Sequence, residues 1–241
     1  MQNNIQKSFI LKNSLAAVSA TIFNDGLIAS DGIECYLYRF DEEGRHSCVI
    51  QTARPYRRIR ISGECITALG SDCSEPKIYL IDRNFQEYDY VRLDISGCGC
   101  GCTCNCEDFG ELTDASLTKI GSEIFIIGVF RNGAYLFDNS GKRLTKLCAT
   151  SQSEILTDFI SLGNDVFAMS TIDVNTRTIT IRDNGHESSA ILDRMYTLRM
   201  LFEHNGEIYG LFGKNYIYNR IIKIYSNGLL LLPNNTGLCC E

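Results

Sequence analysis

The segment GSEIFIIGVFRNGAYLFDNSGKR at residues 121–143 contains two apolar runs that are separated and flanked by short polar turns. Its Ile, Phe, Tyr and Val residues are typical of β-strands, because their side chains pack well on a pleated surface. Gly and Asn occupy the turns, where they tolerate the positive φ angles of tight hairpins. The segment therefore predicts consecutive antiparallel strands and no helix.

This pattern recurs five times along the chain, each time as a tight turn, an apolar run and a second alternating strand that ends in Asp or Ser. The residues that begin the apolar runs are Gly26, Glu64, Glu123, Asp165 and Glu207. Their spacing indicates a repeat of about 42 residues. One interval, between the second and third repeats, is about 15 residues longer than the others.

Four short strands in a repeat of this length resemble the blade of a β-propeller. We predict an all-β, single-domain protein over residues 1–241, a five-bladed β-propeller of four-stranded antiparallel blades. The expected blades are 15–53, 57–95, 114–150, 156–194 and 196–234. The Trp-Asp dipeptide of WD40 blades and the double glycines of kelch blades are missing, so the resemblance is to an architecture. A β-sandwich or barrel is the alternative, although neither keeps a fixed period.

In such a ring the first strand of each blade lies nearest the axis. The second-to-third-strand loops and the connections between blades then share one face, which we call the loop face. The remaining turns form the opposite face, the turn face. Propeller loops are where sites are built, so we expect function on the loop face.

The long interval contains CGCGCTCNC at residues 98–106, and we predict a Cys-rich insertion over 97–113 on the loop face. Thiolates at this spacing are suited to Zn²⁺ or Cu(I), because both are soft enough to prefer sulfur. Cys73 belongs to a loop on the same face. The predicted ligands are Cys73, Cys98, Cys100, Cys102, Cys104 and Cys106. Disulfides, or a mobile thiol-reactive insert, are the alternatives. By contrast, we expect Cys35, Cys48, Cys65 and Cys148 to lie in strands as buried apolar residues.

The stretch RPYRRIR at residues 54–60 joins the first two blades on the loop face. Arginine side chains around a tyrosine suit a phosphate or a carboxylate, since the guanidinium group binds either one through paired hydrogen bonds. The predicted binding residues are Arg54, Tyr56, Arg57, Arg58 and Arg60. Strand alternation places Arg58 and Arg60 on the same side. The alternative is a solvated strand whose arginines pair with nearby acids.

Asp114 and Asp158 both follow Leu-Thr ahead of a first strand, so both carboxylates are expected to point towards the axis. Paired acids are what glycosidic cleavage requires, and some five-bladed propellers are glycoside hydrolases with three axial carboxylates. No third acid occurs at the matching place in the other blades. The alternative is that each Asp caps the start of a strand.

A net charge of −6 over 241 residues argues against nucleic acid as a partner, which requires a basic face. No apolar run reaches the length of a membrane span, and 12 cysteines partly placed in strands favour the reducing cytoplasm. The sequence therefore predicts a cytoplasmic, monomeric binding or scaffold propeller for a protein or a small anionic ligand. An enzyme with axial carboxylates and a disulfide-crosslinked surface protein are the alternatives.

Overall fold

The structure is a computed structural model, and it describes twelve stretches of the chain: residues 8–10, 17–24, 26–62, 65–71, 75–95, 109–151, 153–163, 166–173, 176–192, 196–214, 217–226 and 229–231. No helix in these stretches has the length and apolar character needed to cross a membrane. Every regular element in them is a β-strand.

The strands form five antiparallel sheets arranged as the blades of a propeller. Blade one contains β2 (Ser19–Phe23), β3 (Gly26–Ser30), β4 (Tyr36–Phe40) and β5 (His46–Gln51). Blade two contains β6 (Tyr56–Ser62), β7 (Cys65–Gly70), β8 (Lys77–Ile81) and β9 (Glu87–Arg92). Blade three contains β10 (Leu112–Ile120), β11 (Glu123–Phe130), β12 (Gly133–Phe137) and β13 (Arg143–Ala149). Blade four contains β14 (Ile155–Gly163), β15 (Val166–Ile172), β16 (Arg177–Asp183) and β17 (His186–Leu192).

Blade five is built from both ends of the described chain and closes the ring. Its long strands are β18 (Tyr196–His204), β19 (Glu207–Lys214) and β20 (Ile217–Ser226). The short strands β1 (Ser8–Ile10) and β21 (Leu229–Leu230) both pair with the outer side of β20. The prediction of a five-bladed propeller is confirmed, with the difference that the last blade has three long strands and completes its edge with β1. This pairing fixes the first blade against the last.

The turn between the third and fourth strands is the same in blades one, two and three. An Asp carboxylate accepts two backbone N–H groups across the turn, at 2.8–3.0 Å in every case. The residues are Asp41, Asp82 and Asp138. Three positions later φ is positive, at Gly44 (73°), Phe85 (62°) and Gly141 (88°). Phe85 adopts this conformation although it is not glycine, and its buried ring packs edge-on against Phe23 of blade one.

The hydrophobic core lies between neighbouring blades, in five separate clusters that follow one another around the ring. Each cluster combines residues from two adjacent blades; Phe40 of blade one, for example, packs with Met200 and Phe202 of blade five. Alternating apolar residues therefore face the neighbouring blade on both sides of each sheet. The first strands of adjacent blades contact each other around the axis.

One expectation about the cysteines was wrong. Cys35, Cys65 and Cys148 are only partly buried, and Cys48 is exposed. Cys35 also precedes β4 and does not lie within it. Outer strands of a propeller present one face to solvent, so a cysteine in a fourth strand such as β5 or β13 is not enclosed. All four are free thiols.

Candidate functional site

A β-bulge interrupts the first strand of blades two, three, four and five at the same place. The pairing of first and second strands shifts by one residue at Arg57, Thr113, Thr157 and Arg199. A bulge re-aims side chains and increases local twist, and bulges are common beside functional sites. Here the four bulge residues all turn to the loop face and line one cavity there.

The residues after the bulges of β6, β10 and β14 meet in the centre of the ring. They are Arg58, Asp114 and Asp158, and Arg60 lies two positions beyond Arg58 on β6. The residue after the fourth bulge, Met200, packs instead in the hydrophobic cluster between blades one and five. The two arginines and two aspartates form what we call the axial cluster, which lies in the centre of the ring and is almost fully buried. Asp114 and Asp158 are each only 1% exposed.

Arg60 is the centre of the axial cluster. Its Nη2 binds Asp158 at 2.6 Å and also contacts Asp114, which accepts a further bond from Nε at 3.2 Å. Its Nη1 donates to the carbonyl of Leu201 in blade five. One guanidinium group on blade two therefore joins blades three, four and five at the axis.

Arg58 connects the axial cluster to blade one and to the cavity. Its Nη1 donates to the Val18 carbonyl at 2.9 Å, and its Nη2 donates to the Arg199 carbonyl at 3.1 Å. Its Nε lies 4.0 Å from Asp114 and has no hydrogen-bond partner among the described residues. Burial lowers the pKa of Arg58 despite the neighbouring carboxylates. This side chain is thus less fully neutralised than Arg60.

The two aspartates titrate differently although they share Arg60. The pKa of Asp158 is raised to about 7, because burial and the neighbouring Asp114 carboxylate together outweigh the opposing effect of Arg60. For Asp114 burial also favours the neutral form, but Arg60 and Arg58 outweigh it and lower the pKa. Two carboxylates this close do not both ionise freely, so the protonated form is expected on Asp158.

The cavity above the axial cluster has a volume of about 400 Å³ and opens on the loop face. Five arginines from four blades line it: Arg57, Arg58, Arg131, Arg177 and Arg199. The acidic lining residue among those described is Glu111. Ile155 and Ile172, which pair across β14 and β15, form an apolar wall. We call this the arginine cavity.

Glu111 holds two of these arginines at the rim. It binds Arg57 at 2.8 Å and lies 3.9 Å from Arg131. Gly110, with φ of 64°, turns the chain just before Glu111 and packs against the Arg131 side chain. Arg57 is further fixed by the carbonyls of Gly70 and Leu112.

Arg199 and Arg131 are the most available arginines of the cavity. Within the described chain, no acidic group lies within ion-pair distance of Arg199, whose side chain is exposed. The Arg131 side chain is 59% exposed and its described acidic neighbour is the distant Glu111. Both are therefore positioned to pair with an anion that enters from solvent.

The predicted Arg–Tyr group does not gather at one place. Arg54 and Tyr56 both bind Glu87 of β9. Arg54 donates from Nε at 2.6 Å and from Nη2 at 3.0 Å, and the Tyr56 hydroxyl donates at 2.6 Å. Arg54 also stacks 4.1 Å above the Tyr79 ring. Burial and then the Glu87 hydrogen bond raise the pKa of Tyr56. These two residues hold the edge of blade two together, whereas Arg57 and Arg58 line the cavity and Arg60 lies at the axis.

The predicted metal ligands lie outside the described residues, namely Cys73, Cys98, Cys100, Cys102, Cys104 and Cys106. Within the described stretches no three His, Cys, Asp or Glu side chains come together as a metal site. The first described residue after the cysteines is Phe109, which is buried against Phe130 and Tyr135. Glu111 then follows at the rim of the arginine cavity.

Sequence reasoning missed Arg131, Arg177, Arg199 and Glu111, and it treated Arg58 and the aspartates as unrelated. A signal for part of this exists in the sequence. Aligned on the bulge, the blades read Tyr-Arg-Arg, Leu-Thr-Asp, Leu-Thr-Asp and Leu-Arg-Met, starting at residues 56, 112, 156 and 198. This alignment puts arginines and aspartates of opposite charge at one position around the axis.

Two further cavities, of about 490 and 600 Å³, lie on the turn face. Their walls are mainly hydroxyl and apolar groups, including Ser62, Thr118 and Ser161, with Lys119 as the common charged residue. They have no cluster of like charge. The arginine cavity is smaller than these two, but among the three cavities lined by described residues it has the concentrated charge that a ligand would neutralise.

No protein-family model matches the chain, and no curated protein sequence is similar to it. Several solved structures are similar in fold. Myxococcus xanthus glutaminyl cyclase has a TM-score of 0.55 at 10% identity, over 90% of this chain and 92% of that one. YCF48 bound to D1 peptide has a TM-score of 0.49 at 9% identity, over 86% and 62%.

BBS1N in complex with ARL6DN has a TM-score of 0.42 at 11% identity, over 77% of this chain and 54% of that one. The chain thus spans about half the length of BBS1N. At these identities the similarity concerns the fold alone, and the fold is a five-bladed β-propeller.

Proposed function

We propose that this protein is a binding propeller that holds an anionic group of its ligand in the arginine cavity. The observation that carries the proposal is the convergence of five arginines from four blades on a cavity with one described acid. The whole chain has a net charge of −6, so this concentration of positive charge is local and not a general property of the surface. Arginine suits carboxylate and phosphate because its planar group donates paired hydrogen bonds to either.

The cavity is also of a suitable size and construction. Its volume of about 400 Å³ lies within the range of small-ligand sites, roughly 300–1,000 Å³. The bulges set Arg57 and Arg199 on rigid strands, so their side chains start from fixed positions. A preformed site loses less conformational entropy when the ligand binds. A small anion, or an acidic side chain of a protein partner, is the ligand class that this arrangement favours.

The axial aspartates give less support to the glycoside hydrolase alternative. Asp114 and Asp158 do point to the axis, but both are buried and both are bound to Arg60. A sugar would have to displace this arginine to reach either carboxylate. Their binding to Arg60 is better explained as a structural contact that joins the blades beneath the cavity.

The Cys-rich insertion is proposed to border the same site. Its predicted range, 97–113, includes Glu111, which lies at the cavity rim. Whether it binds Zn²⁺ or Cu(I) is a separate prediction, tested by elemental analysis and thiol counting of anaerobically purified protein. Metal that is lost when Cys98 to Cys106 are replaced by serine would support it, and metal-free protein with twelve free thiols would contradict it.

The anion proposal is tested by titration with inorganic phosphate and with citrate at constant ionic strength, followed by calorimetry. We expect binding by the natural chain and at least about ten-fold weaker binding by Arg131→Ala/Arg199→Ala, since each lost charged hydrogen bond is worth roughly 1.5–3 kcal/mol. Arg45→Ala, which removes an exposed arginine at the β4–β5 turn, is the control and should bind normally. Equal affinity in all three proteins, or no binding of either anion, would contradict the proposal.

A further inference from the structure

The directions from which the arginines approach the cavity distinguish between possible anions. Arg57, Arg131, Arg177 and Arg199 belong to blades two, three, four and five, respectively. A carboxylate is planar, and one arginine already satisfies both of its oxygens. A phosphate monoester presents three terminal oxygens in a tetrahedral arrangement and carries about 1.5 to 2 negative charges at neutral pH. Arginines that line one cavity from four blades match the second geometry better.

A buried arginine beneath the cavity, Arg58, also favours a phosphate over a carboxylate. Arg58 is 7% exposed, and its two Nη atoms donate to backbone carbonyls, which do not neutralise its charge. Within the described stretches its Nε has no hydrogen-bond partner, and it lies 4.0 Å from a carboxylate oxygen of Asp114. Since Asp158 tends to keep its proton, the floor of the cavity retains positive charge that an entering dianion would offset.

Glu111 occupies the place of an anion at the rim. Its carboxylate binds Arg57 at 2.8 Å and faces Arg131 at 3.9 Å. A ligand that pairs with Arg131 would approach this carboxylate and be repelled by it. Glu111 therefore acts as an internal competitor for the same arginines.

The apolar wall indicates what the anion is attached to. Ile155 is 40% exposed and stands beside Ile172 on the cavity wall. An exposed isoleucine next to a cluster of charges is stabilised when an apolar ligand group covers it. A free inorganic ion would leave this wall in water.

We infer that the arginine cavity takes a phosphate monoester of a small molecule with an apolar portion, and that Glu111 competes with the phosphate for Arg57 and Arg131. The inference rests on the proposed function and narrows its ligand class. The cavity volume sets the scale of the ligand at one small molecule.

The test compares phenyl phosphate, phenylacetate and inorganic phosphate by calorimetric titration of the full chain at constant ionic strength. We expect phenyl phosphate to bind at least about ten-fold more tightly than phenylacetate, because it forms additional charged hydrogen bonds. It should also bind several-fold more tightly than inorganic phosphate, because its ring covers Ile155 and Ile172.

The variant Glu111→Gln tests the competitor. We expect it to bind phenyl phosphate several-fold more tightly than the natural chain, a gain that a purely structural role for Glu111 would not produce. Glu42→Gln is the matched control, since it removes the same charge from an exposed residue on the turn face. It should bind phenyl phosphate as the natural chain does.

Each alternative outcome would overturn one part of the inference. Equal binding of phenylacetate and phenyl phosphate would overturn the phosphate assignment and leave anion binding standing. Inorganic phosphate binding as tightly as phenyl phosphate would overturn the apolar portion. Unchanged or weaker binding by Glu111→Gln would overturn the competition. Absence of binding by all three compounds would overturn the proposed function as well.

Discussion

Arginine has one role in the axial cluster and another in the arginine cavity, although the two sites are neighbours. Arg60 lies at the axis, where Asp114 and Asp158 satisfy its charge inside the protein. Arg199 belongs to blade five, at the bulge of β18, and no described carboxylate neutralises it. The difference is which side of the strand each side chain occupies. An arginine whose counter-charge comes from the same chain stabilises the fold, and one whose counter-charge must come from solvent is available for a ligand.

The largest effect is expected from breaking the axial cluster with Arg60→Met. This change leaves two carboxylates in the centre of the ring without their main partner. Removing one partner of a buried ion pair typically costs about 3–5 kcal/mol, because the remaining charge stays buried. We therefore expect the free energy of unfolding to fall by about that amount in urea denaturation, or the protein to fail to fold.

A triple variant shows whether the loss of stability in Arg60→Met comes from the lost ion pairs or from the carboxylates that stay buried without a partner. In Arg60→Met/Asp114→Asn/Asp158→Asn the charges are removed together, so most of the lost stability should return. Arg45→Ala, an exposed arginine, should unfold like the natural protein. If Arg60→Met alone were as stable as the natural chain, the axial cluster would not be what joins the blades at the axis.

A smaller effect is expected in the pH dependence of stability. Burial raises the pKa of Asp158 to about 7, whereas an Asp in an unfolded chain titrates near 4. Between these values the folded protein holds a proton that the unfolded chain has released, so this group's contribution to stability falls as pH rises. The greatest slope is about 1.4 kcal/mol per pH unit. Asp158→Asn should remove this decline.

The measurement is the unfolding free energy of both proteins from pH 5 to pH 8. The lower limit avoids Asp114, whose lowered pKa contributes stability that is lost only as pH falls below about 4. The difference between the natural chain and the variant should shrink steadily as pH rises towards 7 and then level off. Parallel profiles would mean that Asp158 is already ionised throughout this range.

The sequence was sufficient for the ring because each blade repeats the same local chemistry. The Asp41, Asp82 and Asp138 turns occur once in each repeat and make the same hydrogen bonds, so the sequence repeat and the repeated turn have the same physical cause. The axial position of Asp114 and Asp158 was also predicted from the sequence, although both residues lie within first strands, β10 and β14, and not ahead of them. Ring closure by β1 could not be predicted from the sequence, because a strand of three residues is too short to show a periodic pattern.

The site itself was harder to predict because it depends on bulges and on distance in sequence. A bulge shifts strand alternation by one residue, so Arg57 leaves the pattern that simple alternation assigns to it, whereas Arg58 and Arg60 keep the shared side that alternation predicts. Arg60 and Asp158 are 98 residues apart, and only the closed ring brings them together. The bulge alignment supplies a rule for residues at the axis, but it gives no information on Arg131 and Arg177, which lie at loop ends.

A modest effect is expected at the bulges that carry threonine. Thr113 donates to the Val129 carbonyl at 3.0 Å, and Thr157 donates to the Ser170 carbonyl at 3.0 Å. Each bond connects the bulge to the second strand of the blade, so replacement by the similarly shaped valine should cost about 1 kcal/mol. Thermal unfolding of Thr113→Val and Thr157→Val measures this. Stability losses as large as that of Arg60→Met would show that the bulges, and not the axial charges, are the main support of the ring.

The smallest effect on stability is expected from Arg199→Ala, and it is the sharpest contrast with Arg60. The Arg199 side chain is exposed and has no described ion pair, while its backbone carbonyl, which accepts from Arg58, is kept in the variant. Exposed substitutions of this kind usually change stability by no more than about 0.5 kcal/mol. Urea denaturation should therefore give the same midpoint, within error, for the variant and the natural chain. A loss above about 1 kcal/mol would place Arg199 among the residues that hold the fold together, and the division between an axis that stabilises and a cavity that binds would no longer describe this protein.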